Sequence, residues 1–235
     1  MQPTFNPWIG YFDLIDYVDK FVFLDTVQLN QQSWQTRNKI KVQQKELLFS
    51  LPIQKNRSKI DLSIKDALLD FRKFDFRKKL LKTLQQNYTK AKYYDEVHQF
   101  IEEIVLYNTE YLSTYTINII TQISEKLHFT TEILRLSQTE YQQHESKGNL
   151  VLNICQYFGA KNYISPLGAK VYLEKLSNNF TDEGINIIYQ HYNPVTYHQL
   201  GENFIPYLGI FDLLYNEGFE NSSTIIKSGR RYENR

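Results

Sequence analysis

The sequence predicts an α/β fold: a mainly parallel sheet flanked by helices and interrupted by a helical insertion. Three observations predict it. Apolar runs of strand length, such as residues 21–24 (FVFL) and 185–191 (INIIYQH), alternate with segments of helical period. Residues 66–127 carry helical periodicity alone. Strand and helix alternate on both sides of that block, and such alternation gives parallel strands joined by crossovers. The core is then 1–65 and 128–235, with 66–127 a helical lobe inserted in it.

Residues 1–38 concentrate Gln2, Pro3, Pro7, Trp8, Gly10, Tyr11, Asp13, Asp25, Gln28, Trp34, Arg37 and Asn38 in one short span. Pro7 and Gly10 bracket a turn, since proline fixes φ and glycine permits close backbone approach. Tyr11, Phe12 and Ile15 then carry helical spacing, ended by residues 16–19. The strand at 21–24 ends in Asp25, and a polar loop holds Ser33, Trp34, Gln35, Arg37 and Asn38. Units of this kind place ligand-binding groups at the carboxyl ends of strands.

Residues 46–53 alternate as a strand, closed by Pro52 and the basic loop 55–59. Residues 66–89 form a helix with a broad apolar stripe from Leu68 to Leu84, and 94–107 and 111–127 are two more. Residues 131–137 (TEILRLS) are a strand, and 141–148 a polar loop whose Lys147 starts the next helix or touches a ligand. A helix at 150–158, capped by Gly159, leads to a short strand at 162–165. A helix at 168–180, a turn at 182–184 and the strand at 185–191 follow. An irregular loop at 193–204, a final helix at 206–215 and a loose tail at 228–235 complete the chain.

Composition narrows the function classes. Hydrophobic residues make up 42% of 235, with 18 Tyr and 15 Phe, which is ample for a buried core. A net charge of +1 gives no field that favours nucleic acid or an anionic membrane. Cys155 is the single cysteine, so an internal disulfide is excluded; its apolar helical setting predicts a buried, inert thiol. No run reaches the apolar length of a membrane span and no secretory signal opens the chain, which reads as a cytoplasmic protein. No His, Cys or carboxylate pair has metal-ligand spacing, and no Walker, dinucleotide or nucleophile-elbow fingerprint is present.

The blocks MQPTFNPWIGYFDLID, FVFLDTVQ and SWQTRNKI resemble the signature of the WbqC-like family of bacterial proteins. GAKNYISPLGAKVYL, FTDEGINIIYQHYNPVTYHQ and FIPYLGIFDLLYNEG resemble its later blocks, so the resemblance covers nearly the whole chain. Pro166 stands where relatives tend to have glycine, and Asn193-Pro194 where they have His-Pro. Relatives also tend to carry apolar residues ahead of Met-Gln-Pro, so the first strand here is expected to be clipped or very short. The resemblance implies a place in O-antigen or other surface-polysaccharide sugar assembly. The expected activity is acyl or aminoacyl transfer to the amine of a nucleotide-linked amino sugar, with ATP or an acyl donor such as acyl-CoA. The alternative is a non-catalytic nucleotide-sugar-binding or accessory protein of the same pathway.

The loop 7–11 resembles the His-x-Gly-His element of nucleotidyltransferase-like, Rossmann-type enzymes, with Trp8 and Tyr11 at the histidine positions. The loop 164–170 resembles their Ile-Ser-Ser-Thr element, where Ser165, Lys170 and helix-start N–H groups favour an anion. The plainer alternative makes Trp8 and Tyr11 packing residues and Ser165 an N-cap. Asp25 can orient a substrate hydroxyl or amine and Arg37 can fork onto phosphate, or the two form an ion pair that fixes the loop. His191, at a strand tip, is a candidate base or a structural histidine. The expected catalytic residues are His191, Asp25 and Asn38, with no metal. The expected substrate contacts are Gln2, Trp8, Gly10, Tyr11, Gln28, Trp34, Arg37, Ser165, Lys170, Tyr197 and Gln199, and Trp8, Tyr11, Asp25, Arg37 and Asn38 are expected to face one cleft with Ser165, His191 and Tyr197.

Overall fold

A computed structural model describes residues 1–30, 32–55, 62–142 and 148–234. In chain order its elements are α1 (Ile9–Tyr17), β1 (Lys20–Phe23), β2 (Arg37–Val42), β3 (Lys45–Ser50), α2 (Phe76–Tyr88), α3 (Tyr94–Val105) and α4 (Leu112–Lys126). Then come β4 (Glu132–Arg135), α5 (Gly148–Tyr157), β5 (Asn162–Pro166), α6 (Lys170–Glu174), α7 (Ser177–Asp182), β6 (Asn186–Gln190), α8 (Ile210–Ser228) and β7 (Tyr232–Asn234). The fold is mixed α/β with some parallel pairing. The chain divides into two compact units, one of Met1–Ser137 with Pro194–Ser228, the other of Gln138–Asn193 with Gly229–Arg235.

The first unit contains α1 to α4, α8 and two small sheets. β1 pairs in parallel with β4, Lys20 opposite Glu132 through Phe23 opposite Arg135. β2 and β3 form an antiparallel hairpin, Arg37 opposite Ser50. The expected single, mainly parallel sheet does not form: among the described residues β5 and β6 pair with each other and with β7, not with β1. Hydrogen bonding at β1 gives the reason. One edge of β1 is taken by β4, and on the alternate groups Val22 O accepts from the Met1 ammonium at 2.8 Å while Leu24 N donates to Met1 O at 2.7 Å. A backbone with both edges occupied cannot template another strand.

Several boundaries differ from the sequence reading for local reasons. Asn38 and Arg37 lie in a strand, not a loop; the hairpin turn at Gln43-Gln44 reaches left-handed φ of 47° and 67° without the glycine or asparagine that marks such turns. The second helix begins at Phe76, where the Asp75 carboxylate accepts the Arg77 N–H as a cap. Upstream, Leu68 and Leu69 are extended and bridge to Tyr111 and Ile53. The last helix runs to Ser228 through a break at Gly218, whose φ of 70° is open to glycine. α3 and α4 fall where helical spacing places them, and Ile101, Ile104, Leu112, Tyr115, Ile119 and Ile123 are buried.

The second unit holds β5 and β6 in parallel, with β7 antiparallel to β6, so the expected loose tail at 228–235 contains a strand. Its core gathers Leu152, Cys155, Leu173, Phe180, Ile185, Ile187 and Tyr189. Burial pushes the Cys155 thiol up to about 12, as expected of an inert thiol. The expected helix at 168–180 breaks into a 3-10 turn, α6 and α7. The basic loop 55–59 and Lys147 were read from sequence; 56–59 and Lys147 lie outside the described residues. Among the described residues no helix is long and apolar enough to cross a membrane.

Candidate functional site

In the first unit the N-terminal residues form a hydrogen-bonded frame. Tyr11 Oη donates to Gln2 O at 2.8 Å, and Gln35 Nε2 donates to Gln2 Oε1 at 2.8 Å, which fixes Gln2 at the surface. Burial holds the Tyr11 phenol well above its usual range, so it stays a neutral donor. Asn38 is buried, and its Nδ2 donates to the carbonyls of Phe5 at 3.1 Å and Asn6 at 2.8 Å. Its Oδ1 accepts from Lys39 N at 2.8 Å. Asn38 therefore pins residues 5–6 to β2. Trp8 lies against α1, where a Cβ on Gly10 would come within 2.4 Å of the indole.

Asp25 is fully buried, and its partner is Arg135 rather than Arg37. Arg135 Nε lies 2.5 Å from Asp25 Oδ2; Ser137 Oγ donates to the same oxygen at 2.6 Å, and Ser137 N to Oδ1 at 3.0 Å. The remaining guanidinium nitrogens of Arg135 reach Thr114 Oγ1 at 3.0 Å and Ser113 Oγ at 2.7 Å. This network ties the ends of the parallel β1 and β4 to α4. Arg37 is half-buried at the start of β2, and among the described residues its guanidinium has no hydrogen-bond or ion-pair partner. Gln28 is exposed and bridges Ser63, and Trp34 is exposed.

A buried polar centre forms where β2 meets the C-terminal segment. Asp212, near the start of α8, is 0% exposed. Tyr88 Oη donates to its Oδ1 at 2.8 Å and Tyr197 Oη to its Oδ2 at 2.8 Å. Burial pushes the Asp212 carboxyl up to about 6, against the opposing pull of the two tyrosines and Lys41. Lys41, buried on β2, donates through Nζ to Gln199 Oε1 at 3.3 Å and to the Asn203 carbonyl. Burial lowers its pKa, with Asp212 pulling the other way. Gln199 also holds Ile205 by both backbone groups, at 2.9 Å each. Behind Tyr88, Tyr215 stacks at 4.7 Å between centroids, and its hydroxyl lies 2.8 Å from His98 Nδ1. Tyr197 is half-buried and thus stands between the surface and Asp212.

Arg37, Lys39 and Lys41 alternate along β2 onto one face. Lys39 pairs with Glu46 at 2.7 Å. Arg37 and Lys41 are about 13 Å apart along that strand. A basic strand face whose guanidinium at one end has no partner among the described residues, with a raised carboxyl at the other, suits a phosphorylated ligand that exchanges a proton.

The other predicted residues belong to the second unit. Ser165 lies within β5, fully buried, with Oγ donating to Pro166 O at 3.2 Å, so it is a strand residue rather than a cap. Lys170 Nζ sits 5.5 Å from the Tyr189 ring centroid and 4.0 Å from Glu174. His191 follows the tip of β6; its N donates to Arg231 O at 2.8 Å and its Nε2 lies 3.2 Å from Glu233.

The sequence reading found Tyr197 and Gln199 but not Lys41, Tyr88, Asp212 or Arg135. A usable signal existed for Asp212, an acid inside the apolar run GIFDLLY. Lys41 carried none, because cations at alternate strand positions ordinarily face water. Among the described residues no group of three or more His, Cys, Asp or Glu could hold a metal ion.

A family model described as the WbqC-like protein family matches residues 2–224. The chain is similar to uncharacterized protein Rv1507c of Mycobacterium tuberculosis (strain ATCC 25618 / H37Rv), 29% identical over 222 residues, 94% of this chain and 93% of that one. No solved structure matches the chain.

Proposed function

The chain belongs to the WbqC-like protein family, and from that premise we propose that it transfers an acyl or aminoacyl group to the amine of a nucleotide-linked amino sugar. The setting is the cytoplasmic assembly of O-antigen or a related surface polysaccharide. The Asp212 centre carries the reading. Amine acylation needs a group that removes the ammonium proton near neutral pH, and a carboxyl raised to about 6 matches that task. Tyr197 stands between that carboxylate and the surface and relays the proton. The ammonium proton passes to Tyr197 Oη as the tyrosine proton passes to Asp212 Oδ2; the freed nitrogen lone pair then bonds to the acyl carbon, and the second N–H proton leaves with the departing group. The donor's leaving group departs with the electron pair of the broken acyl bond. Arg37 supplies a cation for the diphosphate of the nucleotide. The acyl donor is a thioester such as acyl-CoA or an acid activated by ATP.

The test is product mass spectrometry with nucleotide-linked amino sugars, offered with acyl-CoA donors and separately with ATP plus free carboxylic or amino acids. A mass gain equal to one acyl group, lost in Asp212→Asn, supports the reading. Binding without turnover for every donor would instead assign an accessory, nucleotide-sugar-binding role. That second reading is favoured by Asp25 and Asn38, whose hydrogen bonds go to protein groups.

A further inference from the structure

Segments 5–9 and 207–210 cross backbone to backbone. Trp8 and Gly209 form an antiparallel bridge, and Ile210 N donates to Pro7 O at 2.9 Å. Gly209 N donates to Lys39 O at 2.9 Å, which joins the crossing to β2. A Cβ on Gly209 would come within 2.1 Å of Asn6 Nδ2. Two non-glycine residues flank the crossing in left-handed conformation, Asn6 with φ 45° and Tyr207 with φ 60°. Asparagine visits that region readily; tyrosine does so under strain.

The strain at Tyr207 is not repaid by burial. Its side chain is 55% exposed, and its ring leans on Trp8 with centroids 5.3 Å apart at 53°. Gly10 lets the indole lie against the first turn of α1. Beside the same crossing, Asn6 Nδ2 is buried with no hydrogen-bond partner among the described residues. Strained, exposed residues held by their surroundings collect at ligand sites. An exposed tyrosine ring leaning on a half-buried indole, beside an amide donor with no partner among the described residues, supplies the parts of a stacking site for a planar ring.

We propose that Trp8 and Tyr207 form a shelf on which the heteroaromatic base of a nucleotide stacks. A nucleotide is favoured over a neutral sugar because Arg37, whose guanidinium has no partner among the described residues, lies on β2, two residues from the Lys39 carbonyl that holds Gly209. Asp212, whose N–H donates to Gly209 O at 3.1 Å, follows one helical turn beyond the shelf. The shelf rests on the reading of a nucleotide-linked substrate and says where its base sits.

The chain has two tryptophans, so Trp34→Phe leaves Trp8 as the only indole. Its fluorescence is titrated with UDP and dTDP, and separately with inorganic pyrophosphate and free glucosamine. Saturable quenching by the nucleoside diphosphates alone is expected, weakened about tenfold or more by adding Tyr207→Ala and kept by Tyr207→Phe. Tyr207→Gly should raise Tm, because the left-handed backbone is relieved, and still lose affinity. A tyrosine placed for packing would lower Tm and leave affinity unchanged. No saturable quenching, equal quenching by pyrophosphate or glucosamine, or full affinity in Tyr207→Ala overturns the shelf. Binding without product in the acylation assay would leave the shelf standing and remove only the transferase reading.

Discussion

The Tyr197 hydroxyl donates across 2.8 Å to Oδ2 of Asp212, linking a half-buried phenol to a fully buried carboxylate. Tyr88 holds the other oxygen at the same distance. Tyr197→Phe deletes one of two donors to a desolvated acid, so the Asp212 carboxyl should rise further. Unfolding free energy should fall by about 1–3 kcal/mol. Carbon-13 NMR of labelled aspartate measures the first effect and urea denaturation the second; an unmoved Asp212 resonance would show that the phenol does not tune it.

Asp212 also makes stability depend on pH in a defined direction. Its folded value, about 6, lies above the ordinary aspartate value, so the folded protein binds the proton more tightly than the unfolded chain. The contribution is therefore complete below pH ~4 and is lost as pH rises through 6. Its size is about 2–3 kcal/mol, at 1.36 kcal/mol for each unit. Unfolding curves for wild type and Asp212→Asn from pH 4 to 8 should diverge across that window, wild type losing stability faster as pH rises. Parallel curves would refute the raised carboxyl.

Asp25 and Arg135 couple the ends of β1 and β4. Arg135→Met leaves a buried carboxylate with only Ser137 to solvate it among the described residues, and should cost about 3–5 kcal/mol. Adding Asp25→Asn should recover part of that loss, because the uncompensated charge goes. Additive losses in the double-mutant cycle would mean that the pair is not energetically coupled.

Arg37→Ala should do the opposite of a structural substitution. The guanidinium has no partner among the described residues, so stability should stay within about 0.5 kcal/mol. Affinity for a nucleoside diphosphate should fall by about 2–3 kcal/mol through loss of a charge-assisted pair. Calorimetric titration and thermal melting separate the two quantities. Loss of stability with intact affinity would remove Arg37 from the site.

Cys155 should resist thiol reagents in the native protein. Its thiol is raised to about 12 by burial in the core of its unit. Labelling of Cys155 should proceed only as fast as that unit opens, and should speed up in denaturant. Rapid labelling of the folded chain would contradict the assignment.

Local chemistry was legible where the chain's own periodicity decides the outcome. The stripes at 94–107 and 111–127 give α3 and α4, whose apolar positions can be buried in one way only. The β-branched run INIIYQ gives β6, and the apolar spacing around Cys155 places it inside a core. The importance of residues 1–38 was also legible, because a short span rich in Pro, Gly, Trp, Asn and Gln serves interactions more specific than burial. Their roles were less legible. Asn38 and Tyr11 hold backbone carbonyls, and a side chain's hydrogen-bond partner lies wherever the fold brings it.

Tertiary structure alone decided the rest. Asp25 chose Arg135, 110 residues away, over the nearby Arg37, since parallel pairing of β1 with β4 sets Arg135 beside the end of β1. β1 stays out of a larger sheet because Met1 occupies its second edge, a matter of hydrogen-bond geometry that no propensity records. Lys41, Tyr88, Tyr197 and Asp212 meet from four separate segments, and of these only Asp212, an acid in an apolar run, stands out in its own. Sequence fixes which groups can carry charge or donate a proton; desolvation at their meeting point sets the pKa values, and that point exists only in the folded chain.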